Sequence, residues 1–65
     1  MEGWVAVFSC DQVFSAELAR QYLENNGVTA IVVNRKDSFY VTIGDVEVYV
    51  ALADADVATS LLKDF

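Results

Sequence analysis

The first half of the chain has the hydrophobic pattern of a strand, a helix and a second strand. Residues 4–9 form an apolar run rich in aromatic and β-branched side chains, which is typical of a buried strand. A helix is predicted over 12–26, with Asp11 as its N-cap and Gly27 as its left-handed terminator. A second strand is predicted over 28–33, where β-branched residues again predominate.

The second half predicts a hairpin followed by a helix. Residues 39–43 and 46–51 are apolar runs that flank Gly44 and Asp45, a pair typical of a two-residue hairpin turn. Asp54 is the expected N-cap of a final helix over 55–64. The apolar stripe of that helix consists of Ala58, Leu61, Leu62 and Phe65.

This order of elements predicts one α+β domain over residues 1–65. Two helices that pack on one face of a small mixed sheet are the simplest arrangement for it. We therefore expect the ferredoxin-like plan βαβ(β)βα, which lacks the last strand of that fold.

Alternation along the predicted strands makes both faces of the sheet apolar. The side chains expected to point toward the helices are Val5, Val7, Val48 and Val50. The other face would expose a patch formed by Trp4, Phe8, Ile31, Val33 and Tyr49. Because the open face of a two-layer monomer is normally polar, we expect this patch to be an interface, most simply with a second copy of the chain. The alternatives are a different register, or a C-terminal segment that covers the patch.

The first predicted helix has apolar residues on two sides. Ala16, Ala19 and Leu23 form its expected core stripe, while Phe14 and Leu18 lie well round the cylinder. These two residues form either a second contact surface or the edge of a broad core stripe.

Composition strengthens the expectation of a partner. The core of a 65-residue chain rarely supplies more than about 3–5 kcal/mol of net stability. Domains of this size are therefore usually stabilised further by disulfides, a bound metal or a partner subunit. Cys10 is the only cysteine, which excludes an intrachain disulfide and favours a reducing compartment, by default the cytoplasm. We expect no metal and no cofactor, because there is no histidine and one thiol cannot build a zinc site. Self-association is the remaining source of additional stability.

Charge and motifs argue against several function classes. The net charge of −6 opposes binding to nucleic acid or to anionic membranes, and no stretch resembles a targeting or membrane-spanning segment.

Without histidine, the Ser–His and Cys–His forms of nucleophilic catalysis are excluded, and Asp54 and Asp56 are explained by helix capping. Cys10 precedes a helix start, where a thiolate would be favoured, but a small packed side chain explains it more simply. We therefore expect a protein that is not an enzyme.

One polar segment is a candidate for ligand binding. It contains both charge signs and an aromatic ring that could stack or donate a hydrogen bond, and loops on a rigid sheet often bind ligands. Its candidate residues are Arg35, Lys36, Asp37, Ser38 and Tyr40. Arg35 and Lys36 could hold a small anionic ligand, and the alternative is an ordinary solvated turn.

Several stretches together resemble a known family. They are residues 4–8, 16–19, 22–28, 34–40, 44–50 and 58–62. In order and spacing they are similar to the putative prokaryotic signal-transducing proteins, small bacterial domains of unknown function. The resemblance implies a ferredoxin-like fold similar to PII-type proteins, which are oligomeric sensors that bind ligands and partner proteins through a loop, here residues 34–45. The chain has Ala51 where members often have proline, and it has no counterpart of the long PII signalling loop.

These observations lead to two hypotheses for the function. The first is a non-enzymatic regulatory module that binds a ligand or protein partner and self-associates through its sheet. The second is a structural interaction domain that works through the apolar face alone and binds no small molecule.

Overall fold

The computed structural model describes residues 2–35 and 45–65, and within them the chain folds in the order β-α-β-β-α. The elements are β1 (Trp4–Cys10), α1 (Val13–Asn25), β2 (Ala30–Asn34), β3 (Val46–Ala51) and α2 (Ala55–Leu62). A single 3₁₀ turn, Leu52–Asp54, joins β3 to α2. The predicted α+β class is confirmed. The strand predicted over 39–43 and the turn residue Gly44 lie outside the described residues.

The described strands form a sheet in the order β1-β3-β2, and both pairings are antiparallel. The prediction of a mixed sheet is therefore wrong for this part of the chain. β1 and β2 run in the same direction, but β3 lies between them, so they share no ladder. β1 and β2 each pair with β3 in the antiparallel direction. The order of elements along the chain remains compatible with a ferredoxin-like plan.

The central strand β3 has a strict inside–outside alternation. Val46, Val48 and Val50 are fully buried, and the residues between them are partly buried on the other side of the sheet. This is the period of two that a half-covered strand requires. The helix-facing prediction for Val48 and Val50 is confirmed.

The edge strand β1 contains a bulge that changes its alternation. Ala6 lies opposite Tyr49 and Phe8 lies opposite Val48, so Val7 has no counterpart on β3. An extra residue in one strand reverses which side chains face the core beyond it. Phe8 therefore shares the helix side with buried Val48, whereas strict alternation predicted that it points away.

Helix α1 contributes Ala16, Ala19 and Leu23 to the core, as predicted, and all three are fully buried. Its end is a Schellman motif, because Gly27 N–H donates to the Glu24 carbonyl and Val28 N–H donates to the Leu23 carbonyl. Gly27 has φ +86°, which a residue with a side chain adopts only at a cost. The predicted terminator is confirmed.

The starts of both helices differ from the expected capping chemistry. Gln12, not Asp11, is the N-cap residue of α1, and its side chain makes no capping hydrogen bond. Asp54 is the N-cap residue of α2, as predicted, but its carboxylate makes no capping hydrogen bond either. Packing of Ala16 and Ala58 into the core anchors the two helices to the sheet.

Candidate functional site: the open face of the sheet

One face of the sheet is packed by helices, and the other is what we call the open face. Its strand residues are Trp4, Ala6, Ser9, Ile31, Val33, Glu47, Tyr49 and Ala51. In its central row, Ile31 and Ala6 flank Tyr49 from the two neighbouring strands. Ile31 and Tyr49 are partly buried and Ala6 is exposed, so the row forms a shallow apolar strip across three strands.

Four of the five residues predicted for an interface lie together on this face. Register pairs Ile31 with Tyr49, and Val33 is opposite Glu47 at the next outward position of β2. Trp4 is opposite Ala51 at the start of β1. All four large side chains, Trp4, Ile31, Val33 and Tyr49, are partly buried.

The fifth, Phe8, lies on the helix side and is not part of the open face. Its ring packs edge-on against Phe65, with ring centroids 5.9 Å apart, and Phe65 also meets Tyr22 at 5.5 Å. Phe8 is packed against the buried core as well. The prediction that Phe8 belongs to the exposed patch is therefore wrong, because the bulge at Val7 directs the Phe8 ring toward the helices. Its ring ties β1 to the C-terminal end of the described chain.

A polar cluster of three side chains interrupts the apolar character of the open face. The guanidinium of Arg35 lies 3.1 Å from Glu47 Oε1 through Nε, and its Nη2 donates to the Tyr49 hydroxyl at 2.7 Å. That hydroxyl in turn donates to Glu47 Oε1 at 3.2 Å. The Glu47 side chain is 21% exposed and that of Arg35 is 60% exposed, so water partly screens the ion pair. The cluster neutralises the one acidic side chain of β3.

The ladder between β2 and β3 brings these three side chains together. Arg35 N–H donates to the Asp45 carbonyl at 2.9 Å, which extends the pairing by one residue beyond Asn34 and Val46. Arg35 therefore shares a face with Val33, and it reaches diagonally to Glu47. The structure thus joins Arg35, a predicted ligand-binding residue, to Tyr49, a predicted interface residue.

The remaining ligand-binding candidates, Lys36, Asp37, Ser38 and Tyr40, lie outside the described residues. Arg35 is the only member of that set whose contacts are described, and its described side-chain partners, Glu47 and Tyr49, belong to β3.

Sequence reasoning gave Glu47 no role, although a signal was present. Glu47 is the only charged residue in the run 46–51, and it lies two residues before Tyr49, hence on the same face of a strand. A carboxylate on an otherwise apolar face requires a partner. The identity of that partner depends on the register with β2, which only the folded chain supplies.

Cys10 has an unexceptional environment. It is partly buried and packed against the core, and its Sγ donates to the Gln12 carbonyl at 3.0 Å. These contacts are those of a small core-edge side chain with a weak S–H donor.

Residues 2–35 and 45–65 contain no pocket, and no three Cys, Asp or Glu side chains among them form a group that could hold a metal ion. None of the helices in these ranges has the length and apolar character needed to cross a membrane. Within these ranges the candidate site is therefore the open face of the sheet and not a concave pocket.

Comparison with known proteins identifies the family of the chain. No curated protein and no solved structure gives a significant match. A profile of a domain family of unknown function, described as putative prokaryotic signal transducing protein, matches residues 4–65. This range includes every strand and helix described above and all residues of the open face. The chain therefore belongs to the family of putative prokaryotic signal transducing proteins.

Proposed function

We propose that this domain is a non-enzymatic interaction module of prokaryotic signal transduction, and that it self-associates through the open face of its sheet. The single observation that supports this most is the apolar strip of Ile31, Tyr49 and Ala6, with Trp4 and Val33 beside it, on the side of the sheet away from the helices. A two-layer domain that remained alone would be expected to have polar side chains there.

The polar cluster fits an interface that must select one orientation. Arg35 and Glu47 satisfy each other within one chain, so an interface formed over them does not leave an isolated charge buried. Tyr49 combines a large apolar ring with a hydroxyl whose hydrogen bonds are already made. Tyrosine and arginine are enriched among the residues that contribute most of the binding free energy at protein interfaces.

The contacts of Arg35 bear on the choice between ligand binding and protein interaction. A ligand role for the segment from Arg35 to Tyr40 needs free cationic groups, and the guanidinium of Arg35 already has Glu47 as its counter-ion. The contacts therefore favour a protein-interaction domain over a receptor for a small anion. Binding of such an anion by Lys36 and its neighbours stays a second candidate, which the family description as a signal transducer supports.

We extend the proposal to fold and location. The order β1-β3-β2 with two helices supports a ferredoxin-like plan without the last strand, similar to PII-type proteins. The lone cysteine and the net charge of −6 support a cytoplasmic domain that binds neither nucleic acid nor membranes. The absence of histidine supports a function without nucleophilic catalysis.

Replacing Ile31 by Asp tests the proposed interface. Ile31→Asp puts a charge at the edge of the apolar strip, where a second copy would have to desolvate it, so we expect the assembly to dissociate to monomers. Sedimentation velocity at micromolar concentration measures this. The matched control is Val57→Asp, the same type of change at a residue of α2 that is 53% exposed, and it should leave the sedimentation coefficient unchanged.

Two results would overturn the proposal. One is a wild-type domain that sediments as a monomer throughout the micromolar range. The other is an Ile31→Asp variant that retains wild-type assembly while circular dichroism shows that it is folded.

A further inference from the structure

A second apolar surface lies on the opposite side of the domain, on the outer side of α1. Phe14 is 70% exposed and Leu18 is 42% exposed, and they are one helical turn apart. Val13 is also 42% exposed, but it lies about 100° round the helix from Phe14 and about 60° from buried Ala16, so it is not part of this surface. We call Phe14 and Leu18 the α1 patch.

The α1 patch is not the edge of the core. Ala16 is fully buried and lies two residues from both Phe14 and Leu18, which corresponds to about 200° round the helix. The two large side chains therefore point away from the sheet. The alternative reading of Phe14 and Leu18 as the rim of a broad core stripe is excluded by their exposure.

The stability of the single chain does not explain the α1 patch. An exposed phenylalanine gains little burial, and an aromatic ring at a solvent-facing helix position is a poorer choice than a charged residue. Isolated exposed apolar side chains are common, but here two large ones lie one turn apart on the same side of one helix.

The net charge of the two helical segments indicates which kind of partner fits the α1 patch. The segments 11–27 and 52–65, which contain both helices, have six acidic and two basic side chains, a balance of −4. The acidic residues are Asp11, Glu17, Glu24, Asp54, Asp56 and Asp64, and the basic residues are Arg20 and Lys63.

The basic residue of α1 is already compensated. Arg20 makes ion pairs with Glu17 at 2.9 Å and with Glu24 at 3.0 Å. The hydrogen bond to Glu17 is the largest cause that raises the pKa of Arg20 above its ordinary value, followed by the charges of Glu17 and Glu24. Arg20, Glu17 and Glu24 together carry one positive and two negative charges, so this part of α1 keeps a net negative charge.

We propose that the α1 patch docks a basic amphipathic segment of a partner protein, whose apolar side chains cover Phe14 and Leu18 and whose lysines or arginines face the acidic helices. Charge complementarity selects this occupant. A second copy of the chain would bring one balance of −4 against another, and like charges across an interface oppose association. The arrangement separates two tasks, because the open face and the α1 patch lie on opposite sides of the sheet.

A synthetic peptide provides the probe. A leucine–lysine peptide that forms an amphipathic helix is titrated into the ¹⁵N-labelled full chain, and a peptide with glutamate at every lysine position serves as its charge control. We expect amide shifts concentrated in α1 with the lysine peptide, weaker binding at high salt, and no binding of the glutamate peptide.

Substitutions locate the site. Phe14→Ser should weaken binding of the lysine peptide by about tenfold, because it removes the central apolar contact. Leu52→Ser is the matched control, since Leu52 is 66% exposed but belongs to the 3₁₀ turn after β3 and not to α1, and its affinity should equal that of the wild type. Equal losses in the two variants would overturn the proposal, because the peptide would then bind any exposed apolar residue on an acidic protein.

The outcome is independent of the proposed self-association. Ile31→Asp should keep the peptide affinity, and Phe14→Ser should keep the sedimentation coefficient. If Phe14→Ser dissociates the assembly instead, the occupant of the α1 patch is a second copy and the proposal of a basic partner is wrong. If Ile31→Asp leaves assembly intact, only the sheet-face proposal fails.

Discussion

At the scale of single residues, the domain depends on a core built from small side chains. The fully buried residues of α1 and α2 include Ala16, Ala19 and Ala58, which let the helices approach β3 closely. Leu23 and the three valines of β3 are the largest fully buried side chains. Because the core is small, each large apolar side chain in it contributes a large share of the net stability.

Leu23→Ala should therefore come close to unfolding the domain. Removing a fully buried leucine typically costs about 2–5 kcal/mol, which is comparable to the whole net stability of a chain this short. Urea denaturation followed by circular dichroism measures the loss.

The matched control is Leu18→Ala on the same helix. Leu18 is 42% exposed, so the same chemical change should cost no more than about 1 kcal/mol. Equal losses for the two variants would contradict the assignment of Leu23 to the core and of Leu18 to the surface.

At the scale of elements, the bulge in β1 has consequences beyond its own strand. By turning Phe8 toward the helices, it creates the contact between Phe8, Phe65 and Tyr22 that joins β1, the end of the described chain and α1. The same turn removes a large aromatic ring from the open face. One extra residue thus changes both the packing of the C-terminal end and the composition of the proposed interface.

Phe65→Ala should loosen this junction. The ring contacts Phe8 and Tyr22 and is half exposed, so its removal should cost about 1–2 kcal/mol. A lower urea midpoint with an unchanged slope is the expected result. Phe14→Ala is the control, because that ring is 70% exposed, and its cost should stay within about 0.5 kcal/mol. A neutral Phe65→Ala variant would mean that the aromatic contacts contribute nothing to stability.

At the scale of the whole molecule, the net charge of −6 acts against self-association while the apolar open face favours it. Charge is distributed unevenly, since the helix side has a balance of −4 and the open face contains the neutral pair of Arg35 and Glu47. This distribution fits the two proposals, self-association through the open face and a basic partner on the helix side.

Added salt should therefore strengthen self-association. Salt screens the repulsion between two acidic molecules, whereas the apolar contact persists, so the dissociation constant should fall between low and physiological ionic strength. Sedimentation equilibrium at two salt concentrations measures the change. A dissociation constant that rises with salt would show that ion pairs between the copies, rather than the apolar strip, hold the assembly together.

The sequence by itself determined what depends on neighbouring positions along the chain. It predicted the two helices to within about two residues at each end, the alternation of β3 and the left-handed Gly27. These features follow from periodicity and backbone sterics within a few residues, so no distant contact is needed to specify them.

Only the tertiary structure decided which strands are neighbours and in what register. The position of β3 between β1 and β2, the bulge at Val7 that turns Phe8 inward, and the pairing of Arg35 with Glu47 all depend on residues far apart in sequence. The physical reason is that a strand's hydrogen bonds can be satisfied by any strand of suitable pattern. Packing of the whole core selects one pairing, and a shift of one residue moves a side chain to the other face.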